Sequence, residues 1–294
     1  FFHCSIFPLF FNFSLYMKLL VFLIKYYGRY LRYYWRARTR YDVHSPFVSA
    51  FLEQTLDDHR WYYIFSQLQT LREKLALNDD AVKIVDHGAG SQLGRQQHHT
   101  VRRIAHYSAI TPIAGQLLFR IVNFLKPQRL LELGTSLGVS AIYQMAANRN
   151  AEMITIEGNP AVAKLAKQHF QEFGLPEVKV IVSTFNDTLP QLIIAGEQFD
   201  FFHFDGDHRY QPTIDYFQQC LELSHSNSVI CIGDIYWSSE MKKAWNELRI
   251  HPKVRLSIDV FHFGLLFFRS QQIEKEDFTL IASWKKPWRM GFFN

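Results

Sequence analysis

The stretch Glu132-Leu133-Gly134-Thr135-Ser136-Leu137-Gly138-Val139-Ser140 reads as a strand end, a glycine loop and a helix start. Upstream, residues 129–134 (RLLELG) form a short apolar β run. Downstream, residues 139–149 (VSAIYQMAANR) carry apolar residues at helical spacing. Gly134 permits a tight turn without a Cβ clash. Gly138 is expected to let the helix N-terminus approach a ligand, where its free N–H groups favour an anionic group. The spacing is GxxxG, without the middle glycine that admits a dinucleotide pyrophosphate. No GK[ST] follows, which excludes a Walker A loop.

The alternation continues outward from this loop. Residues 111–125 form an amphipathic helix before it. After it come strands at 152–158, 178–183, 199–207 and 228–234, with helices at 161–174, 189–196, 213–224 and 239–249 between and behind them. Strands alternating with helices imply βαβ units. Apolar runs such as Phe199–Phe204 suit strands buried on both faces. The last two strands, 254–261 and 264–270, are too close for a parallel crossover and are expected to pair antiparallel. The predicted fold class is α/β: a doubly wound, Rossmann-like sheet of five parallel strands closed by an antiparallel β-hairpin, spanning 111–272. Residues 17–110 are expected to form a helical N-terminal extension and 273–294 a C-terminal tail. Ser45-Pro46 reads as a helix start, leading a mostly helical stretch over 47–77. Residues 82–91 (VKIVDHGAGS) read as a β-like run entering a second glycine loop, without a second strand after it. His98-His99 reads as polar loop.

Composition agrees with a folded chain: 48% of its 294 residues are hydrophobic and 20% charged, which excludes a disordered or fibrous protein. Cys4, Cys220 and Cys231 show no metal-ligand spacing. A reducing, cytoplasmic compartment is expected, with Cys220 and Cys231 as buried small residues. The charge is lopsided. Residues 1–41 hold seven bases and no acid, and removing those seven from the 32 bases leaves fewer bases than the 27 acids. The pI near 9.0 therefore describes a basic arm on a nearly neutral body, and no nucleic-acid partner is expected. Residues 1–16, ahead of Met17-Lys18, are read as upstream-translated or disordered sequence, with Pro8 and Asn12 interrupting the apolar run. Residues 18–40 read as a helix of mixed aromatic and basic residues. Two readings stay open: an interfacial helix on an anionic membrane, or a helix packed on the body by its Tyr/Leu face.

Several residues carry candidate chemistry. Glu157 ends the second strand of the domain, 23 residues after Gly134, where an acid is placed to bind ribose hydroxyls. Phe204-Asp205-Gly206-Asp207-His208 leaves the sheet at the carboxyl end of its strand, and Asp234 lies at the matching end of the next. Asp205, Asp207 and Asp234 are thus candidate ligands for a hard divalent cation such as Mg²⁺, or else capping and solvated carboxylates. His208 has a pKa range suited to a general base, with Asp207 to orient it. By strand alternation, His203 points into the sheet as a core histidine. Tyr236, Trp237 and Trp245 either wall an acceptor site or pack their helix.

These motifs carry a resemblance. Strands, loop and closing hairpin have the outline of class I S-adenosylmethionine (SAM) methyltransferases. ELGTSLGVSA is similar to the first motif of the small O-methyltransferases related to catechol and caffeoyl-CoA O-methyltransferases. HSPF, DHGAGS, ELGTSLG, TIEGNP, FDGDHRY and DIYWSSEM together resemble a bacterial branch of that family. The resemblance implies SAM-dependent O-methylation of a small-molecule acceptor. It assigns cofactor binding to Glu132, Gly134, Thr135, Ser136, Gly138, Ser140 and Glu157, with Asp205 beside them and Phe185 and Asn186 flanking the adenine. It places His208 where metal-dependent relatives carry a lysine, making His208 and Asp205 the catalytic candidates. Those relatives also carry a further strand-five ligand, where this chain has Ile235. The alternatives are an NAD(P)-dependent oxidoreductase using the same loop, or a non-catalytic membrane-associated module led by the basic arm.

Overall fold

In chain order, the computed structural model places α1 (Phe7–Arg36), α2 (Pro46–Gln54), α3 (Tyr63–Ala76), β1 (Ala81–Lys83), β2 (His98–Thr100), α4 (Val101–Ser108) and α5 (Pro112–Leu125) ahead of the glycine loop. The α/β region follows with β3 (Arg129–Leu133), α6 (Val139–Ala147), β4 (Glu152–Glu157), α7 (Pro160–Glu172), β5 (Lys179–Val182), α8 (Phe185–Ile194), β6 (Phe199–Phe204), α9 (Tyr210–Glu222) and β7 (Ser224–Gly233). It ends with α10 (Ser239–Leu248), β8 (Leu256–Asp259), β9 (Phe263–Phe267) and β10 (Glu276–Thr279). The structure describes residues 7–84, 98–269 and 274–289. The second glycine loop, Asp86–Ser91, lies outside the described residues.

The main sheet has the order β10-β8-β9-β7-β6-β3-β4-β5. Strands β3 to β7 are parallel, and β9 runs antiparallel to both β7 and β8. This is the expected sheet with its closing hairpin. Alternation along each strand divides the core. Leu130, Phe201 and Val229 face α5, α6 and α7, whereas Leu131, Phe202 and Ile230 face α8, α9 and α10. Burial on both sides explains why these strands read as continuous apolar runs.

The sheet also holds what the sequence pattern did not announce. The segment expected to be a tail supplies β10, which pairs parallel with β8 from Glu276↔Leu256 to Thr279↔Asp259. Its EDFT sequence has little β character; the pairing is set by the exposed edge of β8. Likewise β1 does have a partner, pairing antiparallel with β2 from Ala81↔Thr100 to Lys83↔His98. That buries His99, which the sequence assigned to a polar loop.

Helix α1 starts at Phe7, so Pro8 falls in the first turn, where a missing N–H is tolerated. Tyr26, Tyr30 and Tyr33 on one face of α1 pack around Phe261 at ring separations of 5.5, 5.0 and 5.1 Å. Arg29 donates to the carbonyls of Tyr236 and Trp237 at 2.9 and 2.7 Å. The helix is tied to the far end of the chain as well. Tyr33 donates to the Leu280 carbonyl, Arg38 N–H to Thr279 O at 2.7 Å and Ile281 N–H to Arg38 O at 3.0 Å. Among the described residues, no single helix is long and apolar enough to cross a membrane.

Candidate active site

Parallel sheets open a crevice beyond the carboxyl ends of their strands. Here β3, β4, β6 and β7 end side by side. Backbone bonds tie the turn after β3 to the end of β4: the N–H groups of Gly134 and Thr135 both donate to Ile156 O, at 3.1 and 3.2 Å. Gly134 has φ +105°, and a Cβ there would lie 3.0 Å from the Asp205 backbone. Any side chain would therefore be both strained and crowded against the end of β6. Ser136 sits in the left-handed region at φ +46°. Its N–H donates to Glu157 Oε2 at 2.9 Å, while Asn159 N–H donates to Oε1 at 2.9 Å. The Glu157 carboxylate is thereby fixed at the rim of the crevice, half-buried.

Accessibility sorts the expected cofactor residues into two groups. Gly134, Ser136, Glu157, Phe185, Asn186 and Asp205 keep accessible surface. Glu132, Thr135, Gly138 and Ser140 are buried. Glu132 lies under the sheet surface, accepting from Gln144 at 2.7 Å and Thr155 at 2.8 Å, with His203 Nδ1 at 3.1 Å. Thr155 also bonds Thr135 at 2.7 Å. Glu132 therefore braces the loop from behind. Gly138 is the N-cap of α6, but Phe170 of α7 covers it, and a Cβ would meet that ring at 2.7 Å. The missing side chain at Gly138 thus makes room for the Phe170 ring.

Phe185 begins α8, where the sequence suggested a loop, and packs edge-on against Tyr216 at 5.3 Å. Its ring also closes over Gly206, where a Cβ would come within 2.8 Å of it. Asn186 next to it is exposed.

The opposite wall is made of ionisable groups. His208 Nε2 stands 3.9 Å from Asp205 Oδ1, both side chains being partly accessible. Both border Gly233 at the end of β7, with Asp205 Oδ1 3.4 Å and His208 Cε1 3.9 Å from where a Cβ would stand. Burial pushes the Asp205 carboxyl up to about 6; Asp234 and Glu132 add to the rise, while His203 and His208 oppose it. His203 is fully buried, as its strand position implied. Burial works against its imidazolium, but the Glu132 hydrogen bond and the Asp205 charge outweigh that and raise its pKa.

Asp207 does not orient His208. Its backbone is left-handed at φ +51°, and its two carboxylate oxygens accept a fork from Arg209 at 2.5 and 2.7 Å. This also withdraws it from a cation site. Asp234 is exposed, and Ile235 beside it is fully buried and lacks a donor atom. Among the described residues, no group of three His, Cys, Asp or Glu side chains is arranged to hold a metal ion. The donor set among these residues does not fit Mg²⁺.

Two of the three aromatic candidates are packing residues. Trp245 of α10 is buried, its ring against Gly264. Tyr236 stacks on Phe261 at 5.0 Å and donates to Asp259 at 2.6 Å. Trp237 stays half-buried at the crevice side.

Some site neighbours carried no signal in the sequence. Ser108, at the end of α4, bonds Ser136 across the glycine loop at 2.9 Å. The His262 carbonyl accepts from Asp234 N–H at 2.9 Å. Only the tertiary fold brings them there.

Residues 131–235 match a family described as "Methyltransferase domain". A catechol O-methyltransferase of Niastella koreensis is 31% identical over 43% of this chain and 58% of its own length. One from Mycobacterium tuberculosis is 30% identical over 43% and 57%. The chain thus spans a little over half the length of these curated relatives. In fold it is similar to the SAH-bound Podospora anserina methyltransferase PaMTH1, with TM-score 0.54, 18% identity and coverage of 76% of this chain and 94% of that one. It is also similar to the Streptomyces achromogenes O-methyltransferase TomG in complex with SAM, with TM-score 0.50, 21% identity and coverage of 72% and 98%. Residues 131–235 thus match a methyltransferase domain, and the sheet has the Rossmann-like α/β fold of these solved structures. A dinucleotide-dependent oxidoreductase and a non-catalytic module are not supported.

Proposed function

We propose that the protein is a SAM-dependent O-methyltransferase acting on a small-molecule acceptor. The observation that carries this is Glu157, locked by the N–H groups of Ser136 and Asn159. Each carboxylate oxygen accepts one backbone N–H, which fixes the carboxylate at the rim of the crevice, a position that suits the vicinal hydroxyls of a ribose. Phe185 offers an apolar edge for adenine beside Asn186. Bound SAM supplies an electrophilic methyl carbon on a sulfonium. Gly134, with no side chain, lets this loop run close against the end of β6.

The remaining work falls to this chain's residues. The acceptor oxygen must be desolvated, aligned and relieved of its proton. His208 is the group we assign to take that proton, because it is a partly accessible imidazole at the crevice wall. Asp205, once ionised, favours the imidazolium that results. A diol such as catechol is the acceptor to try first, on the strength of the relatives' printed names.

The experiment is calorimetric titration of the full chain with SAM, followed by mass spectrometry of catechol incubated with both. Saturable SAM binding and a product heavier by one methyl group support the proposal. Absence of SAM binding ends it. Binding without catechol methylation leaves the enzyme class standing and removes catechol.

A further inference from the structure

A helix docked on a protein body turns its apolar face inward and its polar face to water. Helix α1 departs from this pattern. Its inner face is the tyrosine row against Phe261, yet its outer face is apolar too. Leu20, Ile24, Tyr27, Leu31 and Trp35 follow one another at intervals of four, three, four and four residues, which is one stripe on a helix. Their exposures are 50, 61, 62, 55 and 76%. The stripe is roughly 22 Å long at the helical rise. A contiguous exposed apolar patch of this kind marks an interaction surface.

Charge indicates the occupant. Lys25, Arg32 and Arg36 are exposed on the same helix, and among the described residues none has a carboxylate partner. No acid occurs anywhere in residues 1–41. A symmetric pairing of two copies through this stripe would set basic helix against basic helix, which like charges oppose. An anionic bilayer surface satisfies both parts: acyl chains take the apolar stripe and lipid headgroups take the bases.

We propose that α1 is an in-plane membrane anchor that seats the protein on an anionic bilayer. The proposal uses no residue of the crevice and stands apart from the methyltransferase assignment.

The test is co-sedimentation of the full chain with phosphatidylcholine vesicles, with and without phosphatidylserine, at low and at physiological salt. Binding on the order of 100-fold tighter with phosphatidylserine is expected, three bases each giving roughly a factor of five, and salt should weaken it. The variant Ile24→Glu/Leu31→Glu should lose vesicle binding while keeping its thermal transition and its affinity for SAM, because both side chains already face outward. Lys25→Gln/Arg32→Gln/Arg36→Gln should retain only the weak affinity seen on pure phosphatidylcholine. The proposal is overturned if the native chain ignores phosphatidylserine vesicles at low salt, or if Ile24→Glu/Leu31→Glu binds them as tightly as the native chain. It is equally overturned if sedimentation without lipid shows a dimer that this variant dissociates, since the stripe then belongs to a second copy.

Discussion

The two walls of the crevice are built differently. The wall at β3 and β4 is backbone: Gly134 and Thr135 hook onto Ile156, and Glu157 is clamped by Ser136 and Asn159. The wall at β6 and β7 consists of Asp205, His208 and Asp234, with His208 Nε2 3.9 Å from Asp205 Oδ1 and the Asp205 carboxyl raised to about 6, chiefly by burial. The first wall has a shape that solution conditions scarcely alter. The second has a state that pH sets. A site divided in this way separates recognition of one partner from activation of the other.

Substitutions should respect that division. The largest effect is expected for Gly134→Val, which forces a β-branched residue into φ +105° against the Asp205 backbone. SAM binding should vanish from calorimetry, and a native-like titration would show that the loop tolerates side chains and that the first wall is not rigid. Next, His208→Ala should lower turnover by roughly 10²–10⁴-fold, the usual range for a general base, with SAM affinity unchanged. Loss of SAM binding in this variant would merge the two walls into one. Glu157→Ala should weaken SAM binding by about 1–3 kcal/mol, the scale for hydrogen bonds to a charged group. Equal affinity would remove Glu157 from the ribose assignment.

The smallest and most specific effect is the pH response. Asp205 has a folded value of about 6 against an ordinary 3.8. Between those values the folded chain holds the proton more tightly than the unfolded chain does, so stability should fall as pH rises from 3.8 towards 6. Turnover should rise over the same interval as the carboxylate forms beside His208. Asp205→Asn should flatten both trends, readable in denaturant midpoints and in the pH–rate profile. SAM affinity should show no inflection near pH 6 if Asp205 acts on the acceptor side alone.

Much of this arrangement is legible in the sequence. Apolar runs such as Phe199–Phe204 show strands buried on both faces, and the short link between residues 261 and 264 leaves only an antiparallel pairing. The glycine loop and Glu157 can be matched in register. What spacing does not show is which side of the loop faces the crevice. Glu132, Gly138 and Ser140 belong to the motif but are covered by β4, α6 and α7, so their role depends on packing partners 12 to 71 residues away, such as Gln144 and His203. Asp207 is next to His208 in sequence but turned from it by a left-handed backbone and the Arg209 fork. Strand β10 is an edge-pairing element whose partner, β8, selects it. Apart from Asp207, whose turn is local, these misses involve residues whose surroundings come from elsewhere in the chain.

The clasp between α1 and the β10 region carries a consequence for synthesis. Tyr33 and Leu280 are 247 residues apart, so a ribosome makes the helix long before it makes the strand that secures it. Until then the inner face of α1 lacks its protein partner while the outer face is exposed as well, at a stage when apolar surface of this kind invites aggregation. A nascent chain carrying such a segment needs a temporary shelter, whether a chaperone or a lipid surface. The sheet edge completed last would then release the inner face from that shelter and leave the outer one where it was.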